Sequence, residues 1–396
     1  MKKFLKNIKH LIGRELNIIA NDGSILLTIF IAPLLYMFLL GTIYLHKDID
    51  SVDIAIVDND NSELSHTFIR FIESSQKVNI KSQLPNYNEA IEQLLNINVH
   101  GVIIIPKNFD SDIRLLKGSN INVYLNNSRF LMSNEINKTV QKIAIMMGAG
   151  IRLRYFEEQG INPKEAIEMV MPVQAEIHFM NNIFNNYGYF LLPGLLILIL
   201  QQTLFIGLGE SLSLEREEKI FSKLVASDYN TTTAIIGKNI FYLILYSAYF
   251  TLTFSVIFPF FGLPVKGANI LLITTSVLFI ISVILFTNLL SLFFKKQIVF
   301  MEIAAFTTYP FFLITGFSWP MYALPLPYQI ISNLIPTTPM LEAIVKITQQ
   351  NASLNIVKIP LLTLFIQIIV FFILTKLRYK YLKNKIINND TIKINE

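Results

Sequence analysis

The residues with the densest chemistry in this chain stand in one place. Glu215, Arg216, Glu217, Glu218 and Lys219 are five charges in succession, and Ile220, Phe221, Leu224 and Val225 follow them. That spacing predicts a short amphipathic helix. Such a helix either lies on a membrane surface or docks into a partner's groove, and a plain solvated loop is the blander alternative. The other reactive residues are scattered. His46, His66, His100 and His178 have no ligand-like spacing and read as ordinary surface or structural histidines. No G-x-S-x-G nucleophile motif occurs. The chain has no cysteine, which excludes a disulfide framework and thiol-based metal or nucleophile sites. The pattern G-x-x-x-x-G-K-[ST] is also missing: at Gly237-Lys238 the residue five before the glycine is Thr232, and Asn239 follows. The chain is therefore not its own ATPase by that mechanism, and no cofactor or metal site is expected in it.

The elements that must position the charged stretch are membrane spans. Of 396 residues, 53% are hydrophobic and 15% charged, against about 25% charged in ordinary soluble domains. A bilayer core needs about 20 apolar residues as a helix. Six runs qualify: residues 24–45, 188–209, 239–261, 270–294, 298–318 and 356–377. The first is too long for a cleaved signal core and lacks a small-x-small site, so it reads as a retained anchor. Lys2, Lys3, Lys6, Lys9 and Arg14 precede it. Arg216, Lys219, Lys223 and Lys238 follow the second span, Lys295 and Lys296 the fourth, and Lys376, Arg378, Lys380, Lys383 and Lys385 close the sixth. With six spans these groups share one face, which predicts cytoplasmic N- and C-termini.

Residues 46–187 separate the first two spans on the opposite side. They carry 13 Lys and Arg against 17 Asp and Glu, a net of −4, and are long enough to fold alone. The pattern is mixed α/β. Strands are predicted at 51–57, 101–105, 121–125 and 171–178. Helices are predicted around Leu64, Phe68, Phe71 and Ile72 with Ser62 as N-cap, and at 87–95, 108–116 and 133–158. The fold class is thus an α-helical membrane protein with six transmembrane helices and an inserted mixed α/β extracytoplasmic domain.

The flanking segments have their own patterns. Residues 1–23 form an interfacial amphipathic helix, with Leu5, Ile8, Ile12, Leu16 and Ile19 on its apolar face. Residues 210–238 form a cytoplasmic loop whose charges are expected in water. Residues 319–355, with five prolines, lie outside the membrane or fold as a buried re-entrant hairpin, because lipid does not tolerate irregular backbone. Residues 378–396 form a basic cytoplasmic tail. Polar residues within spans are path-lining candidates: Gln201, Gln202, Asn288, Glu302 and Thr307. The alternative for each is plain helix–helix hydrogen bonding.

Several of these stretches together resemble the ABC-2 type permeases of ATP-driven exporters, in the multidrug- and antibiotic-exporter-like branch with a large extracytoplasmic domain between the first two helices. The resemblance spans essentially the whole chain. Residues 215–224 partly fit that family's E-R-E-x-G-T-x-E-x-L pattern, with Gly237-Lys238 following. Lys219 and Ile220 stand where the Gly-Thr would be, Ser222 replaces the later acid, and Ser227-Asp228 replace a Thr-Pro. Thr315-Gly316-Phe317-Ser318-Trp319-Pro320, Leu324-Pro325 and Ile335-Pro336-Thr337-Thr338-Pro339 resemble the signature before the last helix. Arg14-Glu15 occupies a place where such permeases often carry an arginine and an acid.

The resemblance implies that residues 210–238 hold a coupling helix docking on a separate ATP-binding subunit, through Glu215, Arg216, Glu217, Glu218, Phe221 and Leu224. ATP and Mg would sit on that partner. It also implies a second permease, identical or paralogous, and a hydrophobic or amphipathic small molecule (drug, antibiotic or lipid-like) exported across a bacterial inner membrane. Membrane lipid and an envelope adaptor protein complete the expected partners, and no nucleic acid is expected. The alternative is a non-transporting receptor or assembly anchor whose extracytoplasmic domain binds an envelope partner. A membrane-embedded enzyme would need a catalytic set at one membrane depth, and no intramembrane His or Asp supplies one.

Overall fold

The computed structural model describes residues 2–44, 51–115, 117–173, 175–178, 180–182, 187–218 and 231–395. The chain divides into two compact units, Met1–Lys47 with Phe179–Glu396, and Asp48–His178.

In the first unit six helices are long and apolar enough to cross a membrane: Gly23–Ile43, Tyr187–Glu217, Ile235–Phe260, Asn269–Ser291, Gln297–Ile314 and Leu354–Lys385. An N-terminal helix, α1 (Lys2–Asn21), precedes them. It stops because the Asp22 carboxylate accepts hydrogen bonds from the N–H groups of Ser24 and Ile25 and so starts the next helix. The second span is 31 residues long, about 46 Å at 1.5 Å per residue. A hydrocarbon core is about 30 Å thick, so one helix runs on past the apolar stretch 188–209 and carries Glu210, Glu215, Arg216 and Glu217 in its last turns. The proline-rich segment forms α7 (Leu326–Ser332) and α8 (Thr337–Thr348), bent by 79°. Helix α8 is buried through Met340, Leu341, Ile344 and Ile347, whereas α7 is mostly exposed, and the Thr337 hydroxyl of α8 meets Gln201 of the second span.

The sequence places the apolar face of α1 at Leu5, Ile8, Ile12, Leu16 and Ile19. The side chains of Leu5 and Ile8 lie outside the described residues; among the others Ile19 is buried and Ile12 half-buried as expected, Leu16 is exposed, and Leu11 and Glu15 join Ile19 at four-residue spacing on the buried face. The helix turns this face to a protein neighbour. At Gly237 of the third span a Cβ would come within 2.5 Å of the Leu11 side chain. Small residues at such crossings let helices in a membrane approach closely.

The second unit is a four-stranded sheet in the order β2-β1-β3-β4. The strands are β1 (Val52–Asp58), β2 (Val78–Gln83), β3 (Gly101–Ile105) and β4 (Asn122–Leu125). Strands β2 and β3 run parallel to β1, and β4 is antiparallel to β3. The helices are α2 (Glu63–Glu73), α3 (Tyr87–Leu95), α4 (Phe109–Arg114), α5 (Phe130–Glu158) and α6 (Pro163–Val170). The N-cap expected at Ser62 forms, with Ser65 closing a reciprocal capping box. One core packs α2 and α5 on the sheet through Ile54, Ile56, Phe68, Ile72, Ile103 and Ile136. A second uses Ala55, Val57, Ala90 and Val102 on the other face. The central strands are buried on both faces, which is why 101–105 reads as an unbroken apolar run. The strand expected at 171–178 does not form: the described residues there have no regular structure, and α6 precedes them. Strand β2, which lies at the sheet edge, was not apparent in the sequence because only Val78 and Ile80 carry its apolar side.

Candidate functional site: a charged junction

The three charges at the end of the second span, Glu215, Arg216 and Glu217, reach four other elements. Glu215 is buried, as are Lys238 of the third span and Glu15 of α1. Lys238 Nζ lies 2.8 Å from Glu215 Oε2 and 3.2 Å from Glu15 Oε2. Arg14 reaches the other oxygen of Glu215. The Oε1 atom of Glu15 accepts hydrogen bonds from the Ser211 hydroxyl and, at 2.8 Å, from the Tyr242 hydroxyl. Two cations and two carboxylates thus alternate in one cluster with no net charge. Buried ions persist only when paired and hydrogen-bonded in this way. The expectation of charges in water is therefore corrected for Glu210, Glu215 and Lys238, which are buried, and for Arg216, which is half-buried.

Arg216 donates to the carbonyls of Ser291 (3.1 Å) and Phe294 (2.5 Å), where the fourth span ends. Glu217 accepts from the backbone N–H of Gln297 at 2.9 Å, where the fifth begins. A cation at exposed carbonyls and an anion at free N–H groups complement the helix ends they meet. Further along, Gln297 donates to Asp22 at 2.9 Å, and Ser24 of the first span donates to Glu210 at 3.1 Å. This junction therefore ties α1 and five of the six spans together over two turns of helix. Its chemistry is mechanical: it fixes helix ends relative to one another.

The junction brackets the loop. Glu218 is the last residue described before it, and Lys238 lies two turns into the helix that follows. Of the six residues singled out for coupling, Glu215, Arg216 and Glu217 hold the junction and Glu218 is exposed. Phe221 and Leu224 lie outside the described residues. Sequence reading missed Ser211, Lys238 and Tyr242 as members. The signal for Lys238 was its place in Gly237-Lys238.

The path candidates are dispersed. The Gln202 amide donates to the Ala304 carbonyl at 2.7 Å, and Gln201 meets Thr337. Asn288 donates to Asn239 at 3.1 Å. These three hold helices together. Thr307 donates to Ala304 of its own helix at 3.0 Å, and Glu302 is exposed on the fifth span. Among the described residues no group of His, Cys, Asp and Glu is arranged to hold a metal ion.

Six apolar helices of crossing length and an α/β domain inserted after the first span define a multi-pass membrane protein. The family model "ABC-2 family transporter protein" matches residues 24–377, and the chain belongs to that family. It is 21% identical over 333 residues to the probable multidrug ABC transporter permease YbhS of Escherichia coli (strain K12), covering 84% of this chain and 85% of that one. It is also 30% identical over 109 residues to the linearmycin resistance permease protein LnrN of Bacillus subtilis (strain 168). That match spans 28% of each chain.

Proposed function

We propose that this chain is the permease subunit of an ATP-driven exporter, paired with a second permease and powered by a separate ATP-binding subunit that docks on the loop within residues 210–238. The observation that carries this reading is the junction. Glu215 and Lys238 flank the loop on either side and pair with each other at 2.8 Å, so a load on the loop reaches the second and third spans together. Through Glu15, Arg216 and Glu217 it also reaches α1 and the ends of the fourth and fifth spans. A receptor with no moving partner has no need for that linkage. The names of the relatives, a multidrug permease and a linearmycin resistance permease, support a drug or antibiotic as cargo.

The test is co-purification from native membranes in mild detergent. Phe221→Ala/Leu224→Ala alters the loop and leaves the junction intact. The expected result is an ATP-binding subunit recovered with wild type and lost with this variant. Failure to recover one with either protein overturns the reading and favours a receptor or assembly anchor.

A further inference from the structure

The inserted domain holds a cavity of about 510 Å³ that the junction does not involve, within the range of small-molecule sites. Phe68 of α2 and Phe109 of α4 form a buried floor, and Met169 of α6 is exposed at its edge. One side is the stripe Ala144, Gly148 and Arg152 of α5, at four-residue spacing and therefore on one face of the helix. A Cβ added at Gly148 would meet nothing within 4 Å. Glycine in a helix interior is unfavourable, and here it leaves open volume on the cavity side of the helix. Arg152 is the one charged side chain in the lining, is exposed, and makes no ion pair among the described residues. The stripe therefore grades from bare helix to an unmatched cation over about 12 Å, in a segment whose net charge is −4.

We propose that this cavity binds an amphiphile bearing an anionic group. Its apolar part lies over Ala144 and Gly148 against the half-buried Ile113, Ile121 and Phe156, and its anion meets Arg152. The adaptable Met147 and Met169 accommodate different apolar shapes. The inference rests on the inserted domain alone, so it stands or falls separately from the docking of an ATP-binding subunit.

The chain has no cysteine, so Ser119→Cys on the cavity lining provides a single thiol for an environment-sensitive bimane label. The labelled full chain in phosphatidylcholine nanodiscs is titrated with dodecanoate, dodecanol and dodecylamine. The expected result is a saturable response to dodecanoate, a weaker one to dodecanol and the weakest to dodecylamine. Arg152→Gln weakens dodecanoate roughly fivefold and leaves dodecanol unchanged. Gly148→Phe abolishes every response while the thermal midpoint holds or rises, because a helix glycine has been replaced. Equal responses to dodecylamine and dodecanoate overturn the anionic assignment. A response that survives in Gly148→Phe overturns the site, because it then reports partition into the bilayer. Discs containing phosphatidylglycerol separate two sources of the same chemistry. A lipid occupant suppresses the dodecanoate response, whereas a free amphiphile still binds.

Discussion

The two units treat charge in opposite ways. In the membrane unit Arg14, Glu15, Glu215 and Lys238 are brought together, matched one to one and mostly sealed from water. In the inserted domain Arg152 lines an apolar cavity with no described acid beside it. A matched buried cluster leaves nothing for a ligand to gain, so its role is to hold parts together. An exposed cation at the rim of open apolar volume offers a ligand a charge and an apolar surface together.

The sharpest way to break the comparison is Lys238→Met. It leaves Glu15 and Glu215 facing each other without their shared cation, and removing one partner of a buried pair costs about 3–5 kcal/mol. A loss of monodisperse protein and a lower thermal midpoint in detergent are expected. Adding Glu15→Gln should recover part of the loss. Equal stability of Lys238→Met and wild type would mean the cluster is not what ties the helices.

A core change in the inserted domain comes next. Ile56 is fully buried in β1, and Ile56→Ala should cost about 2–5 kcal/mol, read as faster limited proteolysis of the domain. If the two units are energetically separate, the same variant leaves the junction intact, and co-purification of an ATP-binding subunit is unchanged. Ser62→Ala removes the cap of α2 and should cost about 1 kcal/mol, seen as greater amide exchange confined to that helix.

The smallest effect is one of pH. Burial, with the Arg129 charge nearby, holds the His100 imidazole below its ordinary 6.5. A hydrogen bond from Asn79, aided by Lys81, holds the Asp53 carboxyl below its ordinary 3.8. As pH falls below about 6.5 the unfolded chain takes up the histidine proton first, so stability is lost on the acid side. Asp53 adds a loss of the same sign below about pH 4. His100→Gln should flatten the decline of the domain's melting temperature between roughly pH 7 and 5 and leave the more acid part. An unchanged slope would assign the decline to other groups.

What the sequence made legible was set by neighbours in the chain. The helix at 87–95, the Ser62 cap and the apolar run at 101–105 depend on periodicity, a hydroxyl three residues from an N–H, and strand burial on both faces. The segments that escaped notice had weak local signals. Strand β2 has two apolar side chains at a sheet edge, and 171–178 has strand-like composition but no strand beside it. On α1 the charged Glu15 lies between Leu11 and Ile19 on the buried side, a placement that only its partners on other helices explain.

The sequence by itself determined that this chain crosses a membrane, that a domain is inserted after the first span, and that charge gathers between the second and third. Apolar length and periodicity are properties of contiguous residues, and the bilayer selects for them directly. Only the tertiary structure decided where the charges go. Arg14 and Glu215 are 201 residues apart, Glu15 and Tyr242 are 227 apart, and no local rule pairs residues at such distances. The cavity is of the same kind: an isoleucine of α4, a glycine and an arginine of α5 and a methionine of α6 become one lining only when those helices pack.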